Sequence, residues 1–200
     1  MTPRERWLAL LNHQKPDRIP TDYWATSEVT SRLLRELGCK DTWALYDRLH
    51  IDGQEGLWVR PNAKHYPGDE TADIWGRRHR SVDYGTGSYA EVANAPLGHA
   101  TSVADVEAFH WPDPMDCDWD GYVAQVKRLS GKRIVRVGHY EPYLLYCHLR
   151  GMEQAMMDLL IEPEIANAIM DRIFDYHYRQ NIRAWRSEEH TSELQSPNTI

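Results

Sequence analysis

A chain of 200 residues with 42% hydrophobic and 26% charged side chains carries enough apolar material for one sizeable core and too much for general disorder. Its formal net charge of -7 argues against a surface for nucleic acid or anionic membrane, so neither is an expected partner. No stretch approaches the roughly 18 apolar residues of a membrane span and no signal-peptide pattern opens the chain, so a cytoplasmic enzyme acting on a small molecule is the expectation.

Thr2-Pro3-Arg4-Glu5 forms a capping box with proline at the first helical position, and Trp7, Leu8, Leu10 and Leu11 follow it as an apolar face. Lys15-Pro16-Asp17-Arg18 breaks that helix, and the segment from Ile19 to Trp24 reads as a first strand whose exit presents Asp22, Tyr23 and Trp24. A helix is expected from Ser27 to Leu37, closed by Gly38, with Val29, Leu33, Leu34 and Leu37 as its stripe. Asp41 caps the next helix, ending near Leu49, and Ile51 to Val59 supplies a second strand in which Gly53 and Gly56 mark a bulge or a close backbone approach.

From Trp75 to Val92 polar and apolar residues alternate around Gly85-Thr86-Gly87, the pattern of a β-hairpin insertion. Ser102 and Asp105 open a short helix, Trp111-Pro112-Asp113-Pro114 is a rigid loop, and a helix from Trp119 to Leu129 follows. Ile134 to Val137 is a short apolar strand, with His139 and Glu141 at its exit and Pro142 starting a helix that ends at Gly151. Two residues apart, His139 and Glu141 can act as an imidazole oriented by a carboxylate, and they are the candidate catalytic pair. Cys147 and His148 lie on the next helix and are expected to pack away from the site. A further helix covers Met152 to Leu160, and Pro163 opens the longest one, with Ile165, Ile169, Ile173 and Phe174 on one side. Alternating strands and helices argue for an α/β architecture with one antiparallel insertion.

Cys39, Cys117 and Cys147 form no CxxC pair and read as free thiols. The many tryptophans and tyrosines suit an aromatic pocket, although most are expected to fill the core.

The pieces Lys15-Pro16-Asp17-Arg18-Ile19-Pro20, Asp73-Ile74-Trp75-Gly76, Trp111-Pro112-Asp113-Pro114 and Leu149-Arg150-Gly151-Met152-Glu153 together resemble the uroporphyrinogen decarboxylase superfamily over nearly all of residues 1–185. The resemblance implies a (β/α)8 TIM barrel, truncated to roughly its N-terminal half, since members run to about twice this length. Residues 186–200 are expected to form a non-native tail: Arg186 to Ser196 resemble the reading-frame translation of a sequencing adapter, and the apolar face of the last helix stops at Trp185.

True decarboxylases of that family bind substrate carboxylates with an arginine-bearing run after the first strand. Here the place reads Asp22-Tyr23-Trp24-Ala25-Thr26-Ser27, which makes Asp22, Tyr23 and Trp24 the candidate substrate-binding residues and supplies no guanidinium. Their essential aspartate follows the second strand, where this chain has Leu57-Trp58-Val59-Arg60, with Asp52 several residues too early. The resemblance therefore implies a corrinoid-linked methyltransferase type ahead of a true decarboxylase of tetrapyrrole biosynthesis, with a non-catalytic corrinoid- or tetrapyrrole-binding scaffold as the third reading. The substrate is accordingly a tetrapyrrole, or a methyl donor or corrinoid protein. No metal ligand set is expected in this chain: the family's zinc ligands belong largely to the second half of the barrel, beyond Trp185. The chain alone is expected to be inactive and to self-associate through an unpaired strand edge.

Overall fold

The computed structural model describes residues 1–129, 134–137 and 141–189. In chain order the elements are α1 (Pro3–Leu11), α2 (Ser27–Glu36), α3 (Thr42–Leu49), β1 (Glu55–Leu57), β2 (His79–Asp83), β3 (Ser88–Val92), α4 (Val103–Ala108), α5 (Trp119–Leu129), β4 (Val135–Val137), α6 (Pro142–Arg150), α7 (Met152–Ile161) and α8 (Pro163–Glu189). They fall into two compact units, Met1–Leu57 with Val123–Val137, and Trp58–Tyr122 with the chain from Gly138 onward.

The described residues contain two sheets of two strands each, and this corrects the expected (β/α)8 TIM barrel. A barrel needs a ring of strands with continuous registered pairing. Instead β1 and β4 pair in parallel, Glu55 opposite Val135 and Leu57 opposite Val137, while β2 and β3 form an antiparallel hairpin around the Gly85-Thr86-Gly87 turn.

The expected first strand, Ile19 to Trp24, forms no ladder. Pro20 has no N–H to donate, and the Thr21 backbone is held by Asp52: the Thr21 N–H donates to the Asp52 carboxylate at 2.9 Å, and the Thr21 carbonyl accepts from Asp52 N at 3.1 Å and Gly53 N at 3.0 Å. A side chain has taken the place of a neighbouring strand.

Asp52 is the organising group of the first unit, with none of its surface exposed. Its carboxylate pairs with the buried Arg6 guanidinium and accepts from Arg18 at 2.5 Å and 3.0 Å. Arg6 also donates to Asp17 at 2.5 Å, so α1, the Lys15–Arg18 break and the turn after α3 meet at one ionic cluster. Gly53 follows at φ +58, where a Cβ would lie 2.5 Å from the Tyr46 ring, so the close approach read from the sequence is real. The stripe expected on α2 does not form a core, for no residue of that helix is buried and Val29 is 47% exposed.

In the second unit α6, α7 and α8 pack together around Leu145, Tyr146, Leu149, Ala155, Ile165, Ile169 and Ile173. Phe174 points largely outward, and the buried stripe of α8 continues through Tyr176 instead. α8 runs on past Trp185 to Glu189, so the start of the adapter-like stretch is helical, and residues 190–200 lie outside the described residues.

Arg150 ties this core to the loops. Its Nε donates to the fully buried Asp158 at 2.5 Å, and Nη1 reaches the carbonyls of Leu97 and Ala100 at 2.7 Å and 2.8 Å. Gln154 donates to the other Asp158 oxygen at 2.6 Å, so each partner of the buried pair is satisfied. Gly151, at φ +86, ends α6 and opens α7, a turn that a side chain would strain.

Two outcomes are expected. Asp158→Ala leaves the Arg150 guanidinium buried without its counter-ion and costs about 3–5 kcal/mol, read as a fall in urea midpoint at unchanged m-value. In the first unit, burial pushes the Asp52 carboxyl pKa up, but the Thr21 N–H, Arg6 and Arg18 outweigh it and hold it below the usual carboxylate value. A lowered folded pKa stabilises above the unfolded value and is lost as pH falls through the folded one. Thermal melts from pH 7 to acid should therefore fall less steeply for Asp52→Asn than for the parent chain.

Candidate functional site

The Pro142–Arg150 helix presents Glu141, Leu144, Leu145 and His148 at the spacing i, i+3, i+4, i+7, a single face, and all four line a cleft of about 320 Å³ in the second unit. Trp58, Trp75, Arg77 and His177 complete its wall. Trp75 is set from behind: it is 6% exposed, its ring meets Tyr176 edge-on at 4.7 Å, and His177 lies parallel to it at 5.8 Å. Trp58 is 48% exposed.

Arg77 reaches the cleft because Asp73 builds the turn that carries it. One Asp73 oxygen accepts the N–H groups of Trp75 and Arg77 at 2.9 Å and 3.0 Å, while the other accepts from the Arg77 guanidinium at 2.9 Å and 2.8 Å. His79 Nε2 lies 3.3 Å from that second oxygen. Burial raises the Asp73 carboxyl pKa, and Arg77 more than reverses it, so the group stays ionised.

The remaining arm of Arg77, Nη1, lies 3.1 Å from His148 Nδ1. A guanidinium only donates, which assigns Nδ1 as the acceptor and puts the imidazole proton on Nε2. Burial first, and then the Arg77 charge, lower the His148 pKa. His148 is thus a neutral imidazole with a fixed tautomer, able to offer one N–H to a bound molecule.

Glu141 of the expected catalytic pair lines this cleft. It occupies the N-cap position of α6 without a side-chain hydrogen bond to the first turn, so the carboxylate is not consumed in capping. His139 lies outside the described residues.

Asp22, Tyr23 and Trp24 belong to the first unit. The exposed Asp22 carboxylate accepts from Tyr23 N at 2.9 Å and from Gln54 Nε2 at 3.1 Å. Tyr23 shares a hydrogen bond with Thr30 at 3.0 Å and packs its ring against Tyr46 at 5.4 Å, while Trp24 is fully exposed.

Sequence reasoning passed over Trp58, Arg77 and His177, and His148, expected to pack away from the site, lines the cleft instead. His148 carried a readable signal, standing seven residues after Glu141 with leucines at the two intervening positions. Arg77 carried none, because its partner His148 lies 71 residues away.

Among the described residues no group of three or more His, Cys, Asp and Glu side chains could hold a metal ion. Burial raises the thiol pKa of Cys117 and Cys147, which opposes the thiolate that zinc requires. The Trp111-Pro112-Asp113-Pro114 loop is a brace: Trp111 Nε1 donates to the Val106 carbonyl at 2.9 Å, and Asp113 accepts Met115 N at 2.8 Å. No helix among the described residues is long and apolar enough to cross a membrane. No family model, no curated protein and no solved structure matches the chain.

One outcome is expected of the Arg77–His148 contact. Arg77→Met keeps the apolar stem and removes the charge, so the His148 pKa, followed by the NMR shift of its ring protons, should move back towards the ordinary value near 6.5 without reaching it, since burial persists.

Proposed function

We propose that the chain is part of a cytoplasmic small-molecule enzyme of the uroporphyrinogen decarboxylase superfamily, of the corrinoid-linked methyl-transfer type and not the decarboxylating type. The resemblance of the four sequence pieces motivates the family. The charge of the cleft supports the choice within it.

Uroporphyrinogen carries eight carboxylates, and a pocket for it needs guanidinium forks free to bind them. Among the described residues the one guanidinium lining this cleft, Arg77, is already shared between Asp73 and His148. The cleft adds a carboxylate of its own, Glu141, which repels such a substrate. In this reading Glu141 fixes the orientation of a bound molecule, His148 donates its Nε2 proton to an acceptor on it, and the Trp75 and Leu145 walls keep water from its apolar part. Asp22, Tyr23 and Trp24 are the proposed substrate contacts of the first unit, and His139 is the proposed catalytic partner of Glu141. Zinc, which the methyl-transfer branch carries, finds no fitting ligand set among the described residues.

Reading the source DNA past the codon for Trp185 tests the proposal. A downstream His-x-Cys with a later Cys supports methyl transfer, and an open frame without them removes that reading. Turnover completes the test: the encoded protein should move a methyl group to or from a corrinoid and release no carbon dioxide from uroporphyrinogen, and loss of substrate carboxylates would overturn the assignment.

A further inference from the structure

We infer that the cleft beside α6 takes a small organic cation, an alkylated ammonium group carried on a compact body. The inference rests on reading this cleft as a substrate site, and names the class of molecule that fits it.

Charge selects the class. Three positions of Arg77 are engaged, with Nε and Nη2 on Asp73 and Nη1 on His148, so its charge is spent inside the wall. His148 accepts that bond and adds no positive charge. Glu141 pairs with no cation among the described residues. Counting Arg77 against Asp73 leaves one net negative charge at the cleft, and an anion entering it would meet Glu141 with no donor fork to compensate.

The walls select the shape. An ammonium carrying methyl groups has no N–H to satisfy and is held by aromatic faces and a nearby carboxylate. Trp58, 48% exposed, and Trp75, held by Tyr176 and His177, bring aromatic rings to the wall, and Leu144 and Leu145 offer apolar surface to the methyls. A volume of about 320 Å³ lies at the small end of ligand pockets, which span roughly 300–1,000 Å³, so a compact ligand fits and a tetrapyrrole does not.

Calorimetric titration of the whole chain with three probes of nearly equal shape tests this: choline, its neutral carbon isostere 3,3-dimethylbutan-1-ol, and the anion 3,3-dimethylbutanoate. Choline should bind saturably, the neutral isostere about tenfold or more weakly, and the anion not measurably. Glu141→Gln should reduce choline affinity to the level of the isostere. Glu141 is exposed, so this variant should keep the parent's thermal melt. Trp58→Leu, at a half-exposed position, should weaken choline and leave the melt unchanged as well.

Equal affinity for choline and its isostere, undiminished choline binding by Glu141→Gln, or no binding of any probe would each overturn the inference. The readout is binding alone, so it separates from the methyl-transfer reading. Choline selectivity without methyl turnover would sink that reading and keep this one, and methyl turnover with no cation preference would do the reverse.

Discussion

The pairing of Asp73 with Arg77 decides what the cleft of the second unit can be. With one oxygen Asp73 caps the turn that sets Trp75 into the core, and with the other it neutralises the guanidinium that would otherwise make the cleft basic. Arg77 is thereby aimed at His148, whose tautomer it fixes. The seat of Trp75, the tautomer of His148 and the surplus negative charge at the cleft all trace to that one carboxylate.

The same logic recurs wherever the resemblance to the uroporphyrinogen decarboxylase superfamily is carried. Asp17 and Arg18 of the first piece hold Arg6 and Asp52, and Arg6 keeps the Asp17 carboxyl far below the usual carboxylate range. Arg150 of the last piece holds Asp158 and two loop carbonyls, and Gly151 supplies the positive φ between two helices. Trp111 braces the end of α4. These motif residues fix the path of the chain, and of them only Trp75 lines the cleft, with Asp73 setting its turn.

Local signals were legible in the sequence wherever the determining contact is local. The capping boxes at Thr2 and Ser102, the hairpin at Gly85, the positive-φ Gly151 and the Ile165, Ile169, Ile173 stripe all depend on neighbours within a few residues. The sheet was not legible in that way. Ile19 to Trp24 has the composition of a strand, yet its fate depends on Asp52, 31 residues beyond Thr21, whose carboxylate substitutes for a partner strand. By spacing alone Asp52 is only a misplaced catalytic acid, because burial and ionic partners leave no trace in spacing. The site was half legible for the same reason: Glu141 stands out at a strand exit before a proline, whereas Arg77 matters only through His148 and Asp73.

The most direct test is to remove the neutralising charge and leave the turn intact. Asp73→Asn keeps an oxygen for the Trp75 and Arg77 N–H groups and frees the guanidinium, which is isolated from any other change in the wall. Measured with choline and 3,3-dimethylbutanoate on the same protein, the preference of the cleft for the cation should be lost, because Arg77 then offsets Glu141. A variant that melts like the parent and still prefers choline would contradict the account.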